Sequence, residues 1–447
     1  MTANDLLIKN ARIIDPASSI DETGDILISD GVIKQIGSNL SGPASITIDA
    51  TGLIACPGFI DLHCHLRQPG YENKETIASG AAAASRGGFT TICCMPNTNP
   101  PLDNAATIDY VKNIAIVEAP HINILPIGCI TKDRGGKELS EMAEMHEAGC
   151  IGFSDDGSSV NNAKLMALAM ETARSIGLPM IEHCEDPNLS RDGQMNDGWV
   201  AARLGLTGIP EASEESIVSR DISLVEMTDA KLHLTHISTK GSIELVRNAK
   251  MKGLAVTADV TPHHLTLTEE RVISGKDAKG VSLVYDTNAK VNPPLRTAAD
   301  IDALVAGLND GTIDAITTDH APHASEDKLC EFELAAFGIS GFETAFGALM
   351  TLVHSGKIKL NTLIACLTSH PAKVINFANG ITGEIKQSGR ADIVLLDINR
   401  EWTFDPKNML SKGKNTPYSG QQFKGIVVAT IHHGAIAYKD KSIRISQ

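Results

Sequence analysis

Two histidines separated by one residue, His63 and His65, open the part of the chain where reactive side chains concentrate. Residues i and i+2 of a strand project to one side, so both imidazoles can reach one ion while Cys64 faces away. The pair ends an apolar run that includes Gly58-Phe59-Ile60-Asp61. Single histidines follow at the ends of later apolar runs, His183 and His236, with Glu185 and Ser238 close enough in sequence to orient them. Asp319 stands in Thr317-Thr318-Asp319-His320-Ala321-Pro322-His323, a cluster of titratable groups after the apolar run 313–316. A carboxylate beside a divalent ion can bind it and accept a proton from water. Asp155-Asp156-Gly157 reads as a turn in isolation, yet it also ends an apolar run, where a carboxylate could bridge two ions. Imidazoles and carboxylates without thiolate suit a borderline divalent ion: zinc first, then manganese or cobalt. His233 has the opposite strand parity to His236 and is read as structural, as are His121, His146, His354, His370, His432 and His433.

These residues need a frame that gathers them. Apolar runs at 54–65, 89–95, 122–127, 150–154, 179–183, 231–236, 254–260 and 313–319 alternate with helical stretches such as 74–86, 105–119, 164–175, 214–227 and 242–252. Alternation of this kind signals βα units and a parallel sheet, and repeated to this extent it predicts closure into a (β/α)8 barrel. Catalytic residues of such a barrel collect at the C-terminal ends of its strands, where the metal-ligand residue types lie here. Short β-like runs occupy both ends of the chain, at 6–8, 25–29, 32–36 and 46–48, and again at 391–397, 425–431 and 435–438. The expected organisation is therefore an α/β chain: a catalytic barrel over 58–377 and a small β-sandwich domain built jointly by 1–57 and 378–447.

Composition narrows the function classes. The 447 residues carry 54 acidic and 39 basic side chains, a net charge of −15, and no dense Lys/Arg run, which argues against nucleic acid as a partner. No window approaches a membrane span, and the first ten residues lack a basic segment followed by an apolar core, so a cytoplasmic location is expected. Nine scattered cysteines, mostly in apolar runs, read as buried reduced thiols.

The assembled motifs resemble the amidohydrolase superfamily and, within it, the class I dihydroorotases. The stretch from Gly58 to Gly70 is similar to that family's opening motif. Met95-Pro96-Asn97-Thr98, Phe153 to Gly157, His183-Cys184-Glu185-Asp186, Asn292-Pro293-Pro294-Leu295-Arg296, Thr318 to His323 and Asn415-Thr416-Pro417-Tyr418 continue the match along nearly the whole chain. The resemblance implies one or two zinc ions held by His63, His65, Asp156, His183, His236 and Asp319, with Asp156 rather than Asp155 as the bridging carboxylate. It implies substrate contacts from His65, Arg67, Asn97, Asn292, His323, Phe337 and Gly338. Arg67 would grip a carboxylate, for which a guanidinium fork is suited. Asp319 would be the catalytic base in the reversible cyclisation of N-carbamoyl-L-aspartate to L-dihydroorotate, a step of pyrimidine synthesis. A homodimer and an association with aspartate transcarbamoylase are the implied partnerships.

Gln68 departs from the family's usual Glu and is expected to matter little if it faces solvent. Hydantoinases, dihydropyrimidinases and allantoinases place a carboxylated lysine where Asp155-Asp156-Gly157 stands, which argues against those relatives. The alternative from another class is a non-catalytic subunit propping up a partner enzyme, and the retention of the whole ligand set weighs against it.

Overall fold

The computed structural model describes residues 5–42, 44–273 and 285–446. Residues 1–4, part of the N-terminal stretch read above, lie outside them.

The middle of the chain forms a cycle of parallel pairings. Phe59–Cys64 pairs with Phe89–Cys94, which pairs with Asn123–Pro126. Bridges from Gly128 to Phe153 and from Phe153 to Met180 carry the pairing onward. Met180–Glu182, Leu232–Leu234, Val256–Val260 and Ala315–Ile316 then follow in order. A parallel bridge from His320 to Cys64 returns to the first strand. The ring is closed.

Helices connect successive members, and their ends follow local chemistry. Thr76 and Thr297 form capping boxes at Ile77–Arg86 and Ala298–Asp310, while Asn104, Asn162 and Thr239 cap three others through their side chains. Their apolar stripes join the ring's outer face in one core that includes Phe59, Phe89, Ile92, Met170, Val218, Val246 and Leu304.

Two expected strands come out differently. The run 54–65 is broken at Gly58 into Ile54–Pro57, which leaves for another sheet, and Phe59–Cys64, which enters the ring. The chain can cross here because Gly58 has no Cβ: one would sit 2.2 Å from Thr90 Oγ1 and 2.4 Å from Thr90 Cγ2. The stretch 150–154 supplies one bridged residue, Phe153, in place of a strand. Its N–H donates to Pro179 O at 3.2 Å, and Pro179 has no N–H with which to extend the ladder.

Strands from both ends of the chain share one nine-stranded sheet, in which Ile54–Pro57 lies between Leu6–Asp15 and Ile393–Thr403. Alternate residues of these strands serve two cores. Ile13, Ala55, Ile393 and Leu395 face a core of their own, whereas Ile14, Ile54, Val394 and Leu396 pack on the ring's helical layer. The connection 404–421 does not stay with the sheet. Phe404, Met409 and Tyr418 pack with Leu295, Phe332 and Ile339 beside the ring's mouth. Eight cysteines are buried and Cys330 is half-buried, all as free thiols.

Gly58→Ala is expected to destabilise the protein by about 1–3 kcal/mol through overpacking against Thr90. The urea midpoint should fall accordingly, and adding Thr90→Ala should recover part of the loss. An unchanged midpoint would show that the crossing tolerates a side chain.

Candidate active site

The ring's C-terminal rim gathers all six residues expected to bind metal. His63 Nε2 lies 3.3 Å from His65 Nε2, 3.3 Å from Asp156 Oδ1 and 3.5 Å from Asp319 Oδ1. His65 Nε2 is 3.1 Å from Asp319 Oδ1 and 3.6 Å from Asp156 Oδ2. On the other side of Asp156 Oδ1, His183 Nδ1 stands at 3.6 Å and His236 Nε2 at 3.7 Å, with 3.1 Å between those two nitrogens. Two donor groups result, His63–His65–Asp156 and Asp156–His183–His236, and Asp156 belongs to both. Asp155 points elsewhere, accepting the N–H groups of Ile130 and Thr131 at 2.8 and 3.0 Å.

Three of the four imidazoles are oriented from behind, and His236 is held through its backbone. His65 Nδ1 meets Asn97 Oδ1 at 2.9 Å, and His183 Nε2 meets Glu185 Oε2 at 2.9 Å. Both partner oxygens accept, so each outward nitrogen carries a hydrogen and the inward nitrogen is the one left to bind an ion. His63 Nδ1 meets Thr235 Oγ1 at 2.8 Å, and His236 donates its backbone N–H to Asp259 Oδ1 at 2.6 Å. His236 and Asp319 have left their strands, with φ of 38° and 43°. This turns both side chains into the mouth. His233, read as structural, is buried and bonded to Thr257 Oγ1 and Asp259 Oδ2, each at 2.8 Å.

The cluster's electrostatics are those of a cation site. Burial opposes ionisation of Asp156, yet the surrounding His63, His183 and His236 hold it well below the usual carboxylate range. Asp319 is likewise held low, with burial outweighed by the neighbouring imidazoles of His65, His63 and His236. Against burial, Asp156 pushes His63 up to about 9, and Asp156 and Glu185 push His183 up to about 10. Asp156 Oδ1 and His236 Nδ1 are buried with no hydrogen-bond partner among the described residues. The buried lone pairs of Asp156 Oδ1 and like-for-like nitrogen contacts at 3.1–3.3 Å fit a donor set organised around divalent ions.

A cavity of about 230 Å³ opens beside the cluster and is lined by all seven expected substrate residues: His65, Arg67, Asn97, Asn292, His323, Phe337 and Gly338. Arg67 donates from Nε to Pro322 O at 3.2 Å, and its Nη2 lies 3.4 Å from His323 Nε2. The closer partner of His323 Nε2 is Phe337 O at 2.7 Å, so that nitrogen carries the hydrogen and offers Arg67 no lone pair. Burial, and then Arg67, push the His323 pKa down to about 2, keeping the ring neutral. Gly338 has φ 141°, and a Cβ there would sit 2.8 Å from Ala321 O and 3.0 Å from His323 Nε2. Asn97 already has both amide ends partnered, its Nδ2 donating to Asp156 Oδ2 at 3.1 Å. Asn292 Nδ2 donates to Glu185 Oε2 at 2.6 Å.

Some contributors carried little sequence signal. Asn415, quoted only as part of a motif, accepts from His323 N at 2.8 Å and donates to Gly338 O and Ala321 O at 3.0 Å. Thr235 and Asp259 have ordinary residue types and sit far from His63 in sequence. Gln68 does not simply face solvent: it is half-buried, and its Oε1 accepts the first N–H of the helix Ile77–Arg86, from Ile77 at 2.9 Å.

Comparison with known proteins agrees with this geometry. A dihydro-orotase-like family pattern matches residues 52–242. A dihydroorotase from Thermoanaerobacter sp. (strain X514) is 49% identical over 97% of this chain and 97% of its own, and one from Geobacter sp. (strain M21) is 47% identical over 97% and 99%. Among solved structures, an L-hydantoinase (dihydropyrimidinase) from Arthrobacter aurescens superposes with a TM-score of 0.85 at 23% identity, covering 99% of this chain and 97% of that one. That likeness shows a shared α/β fold. The near-50% identity over almost the full length shows more: this chain belongs to the dihydroorotase family.

Proposed function

We propose that the chain is a class I dihydroorotase, a hydrolase of cyclic amides that interconverts N-carbamoyl-L-aspartate and L-dihydroorotate. In this reading the closed ring is the (β/α)8 barrel of residues 58–377, and the terminal strands of 1–57 and 378–447 form its β-sandwich companion. His63, His65, Asp156, His183, His236 and Asp319 would hold one or two zinc ions. The observation that carries the reading is the buried Asp156 Oδ1, without a hydrogen-bond partner among the described residues, between two imidazole pairs. An aspartate at this point, with no lysine among the cavity's lining residues, sets the site apart from the carboxylated-lysine pattern of hydantoinases.

A bound divalent ion supplies polarisation of the ring amide carbonyl and an easier deprotonation of water. The chain's residues do the rest. Asp319 is ionised and lines the cavity, so it can take the proton that water loses on adding to the carbonyl carbon. It returns that proton to the ring nitrogen as the C–N bond breaks. Arg67 borders the cavity, and among the described residues only its Nε donates to an oxygen acceptor, so its remaining N–H groups would receive the substrate carboxylate as a bidentate partner. Neutral His323 leaves the positive charge at that end to Arg67.

Asp319→Asn removes the proton acceptor, so kcat should fall roughly a hundredfold to ten-thousandfold. Zinc content measured on the same sample separates lost chemistry from lost metal. Near-normal turnover in the loaded variant would remove Asp319 from the mechanism. Arg67→Met should cost about 2–5 kcal/mol in kcat/KM on dihydroorotate while hardly changing the slow hydrolysis of dihydrouracil, which lacks the carboxylate. Equal loss on both substrates would make Arg67 a scaffold of the site. A preference of the parent enzyme for dihydrouracil or hydantoin would overturn the substrate assignment.

The raised His63 and His183 values set the pH dependence of metal binding. Without an ion both imidazoles keep their second proton until the pH climbs through about 9 and about 10. An entering ion must displace those protons, so affinity should rise with pH from 7 to 9 by about tenfold per unit for each proton displaced. Calorimetric titration of zinc into metal-free protein, in buffers of different ionisation enthalpy, should show proton release. A pH-independent affinity would mean the ion binds elsewhere.

A further inference from the structure

We propose that Asp259 is the positioning residue for both donor groups: through Thr235 it fixes which nitrogen of His63 faces the ions, and directly it holds the turn that carries His236. This rests on the metal-centre reading above. Asp259 lies on the ring strand Val256–Val260, is fully buried, and does not line the cavity. Its Oδ1 accepts the His236 N–H at 2.6 Å. Its Oδ2 accepts from His233 Nε2 at 2.8 Å and from the Thr235 hydroxyl at 3.2 Å.

The direction of the chain follows from donor counting. A carboxylate only accepts, so the single Thr235 hydroxyl hydrogen points to Asp259. The Thr235 oxygen then presents a lone pair to His63 Nδ1 at 2.8 Å and stabilises the hydrogen there, leaving Nε2 free to face the cluster. His233 anchors the carboxylate from the far side, its other nitrogen bonded to Thr257 Oγ1 at 2.8 Å. One buried carboxylate thus reaches His63, in the first donor group, and His236, in the second. An asparagine at 259 keeps the shape but brings an NH2 donor. Turned toward Thr235, it reverses the hydroxyl, moves the His63 hydrogen to Nε2 and sets an N–H against the ion's position.

Zinc affinity, read by competition with a chromophoric chelator, tests this apart from turnover. Thr235→Val keeps shape and volume but breaks the relay to His63, and it should weaken zinc about 10–100-fold, the usual effect of losing a partner behind a ligand. Thr235→Ser keeps the hydroxyl and should stay within about threefold of the parent. Asp259→Asn should weaken zinc at both donor groups, lowering the number of ions retained as well as the affinity. KM for dihydroorotate in fully loaded enzyme should be unchanged in all of them, since none of these side chains borders the cavity. Should the buried Asp259→Asn change prevent folding, the Thr235 pair decides alone. Equal zinc affinity in parent and Thr235→Val, or equal loss in the Val and Ser variants, overturns the inference. A parent that binds no zinc at all overturns the metal-centre reading instead, and this inference with it.

Discussion

Everything at the rim depends on joining the first ring strand to the last. His63 and Asp319 are more than 250 residues apart in sequence, yet their side chains must approach within a few ångströms. The join is made by backbone and by one carboxylate. His65 N–H donates to His320 O at 2.8 Å. Beneath it, Asp61 accepts the Thr317 hydroxyl, the Thr318 N–H and the Thr318 hydroxyl, each at 2.7 Å. Burial alone would drive such a carboxyl toward its neutral form and does raise it to about 6, with the threonine donors pulling the other way. Loss of Asp61 would leave three buried donors facing nothing, each costing about 1–3 kcal/mol. The clamp works two residues below His63 and one or two below Asp319, so it sets where both side chains emerge.

A second tie brings the returning chain over the mouth. Glu75, at the start of the first helix, accepts from Ser411 Oγ at 2.5 Å and from Lys412 N at 3.1 Å, and faces His320 Nε2 at 3.3 Å. His320 in turn stacks on Phe342 with 4.1 Å between ring centres. From there the chain runs on to Asn415, whose amide ties His323 to Gly338. The part of the cavity wall that carries Ala321, His323 and Gly338 is therefore tied to stretches distant in sequence, around Glu75 and from 411 to 415. Hydrogen bonds supplement the apolar packing of Phe332, Ile339, Met409 and Tyr418 there. Directional hydrogen bonds to buried groups fix such a wall more tightly than packing alone, because a shift leaves polar atoms unpaired.

These facts explain what could be read from the sequence. Strand periodicity placed His63 and His65 on one side, and the alternation of apolar runs with helical stretches put His183, His236 and Asp319 at one rim. Residue type and local spacing were enough for that. The choice between Asp155 and Asp156 was not legible in geometry before folding, because neighbours in a turn can point either way; the N–H groups of Ile130 and Thr131 take Asp155. The break at Gly58 was hidden as well, since an unbroken apolar run carries no sign that Thr90 will press against its middle. Thr235, Asp259 and Asn415 matter through partners far away in sequence, whereas Glu185 was readable from its place two residues after His183. A threonine or asparagine that completes someone else's hydrogen bond looks like any other until the ring is closed.

The rim also shows where the fold accepts strain. Arg67, His236 and Asp319 all have left-handed backbone, with φ of 60°, 38° and 43°. For residues with a Cβ this costs on the order of 1–3 kcal/mol each and persists only where the surroundings dictate it. The dictating contacts can be named. Asp259 fixes the N–H of His236, and Asp61 with the His65–His320 bond brackets Asp319. The Tyr71 N–H to Arg67 O bond, at 2.9 Å, closes the turn at Arg67. A strand that simply continued would alternate its side chains inward and outward, and it could offer only every second residue to the mouth. Leaving the strand abruptly frees a ligand from that parity. The strained residues are the ones whose side chains have to turn into the cavity, and buried carboxylates hold two of those turns while a backbone hydrogen bond holds the one at Arg67.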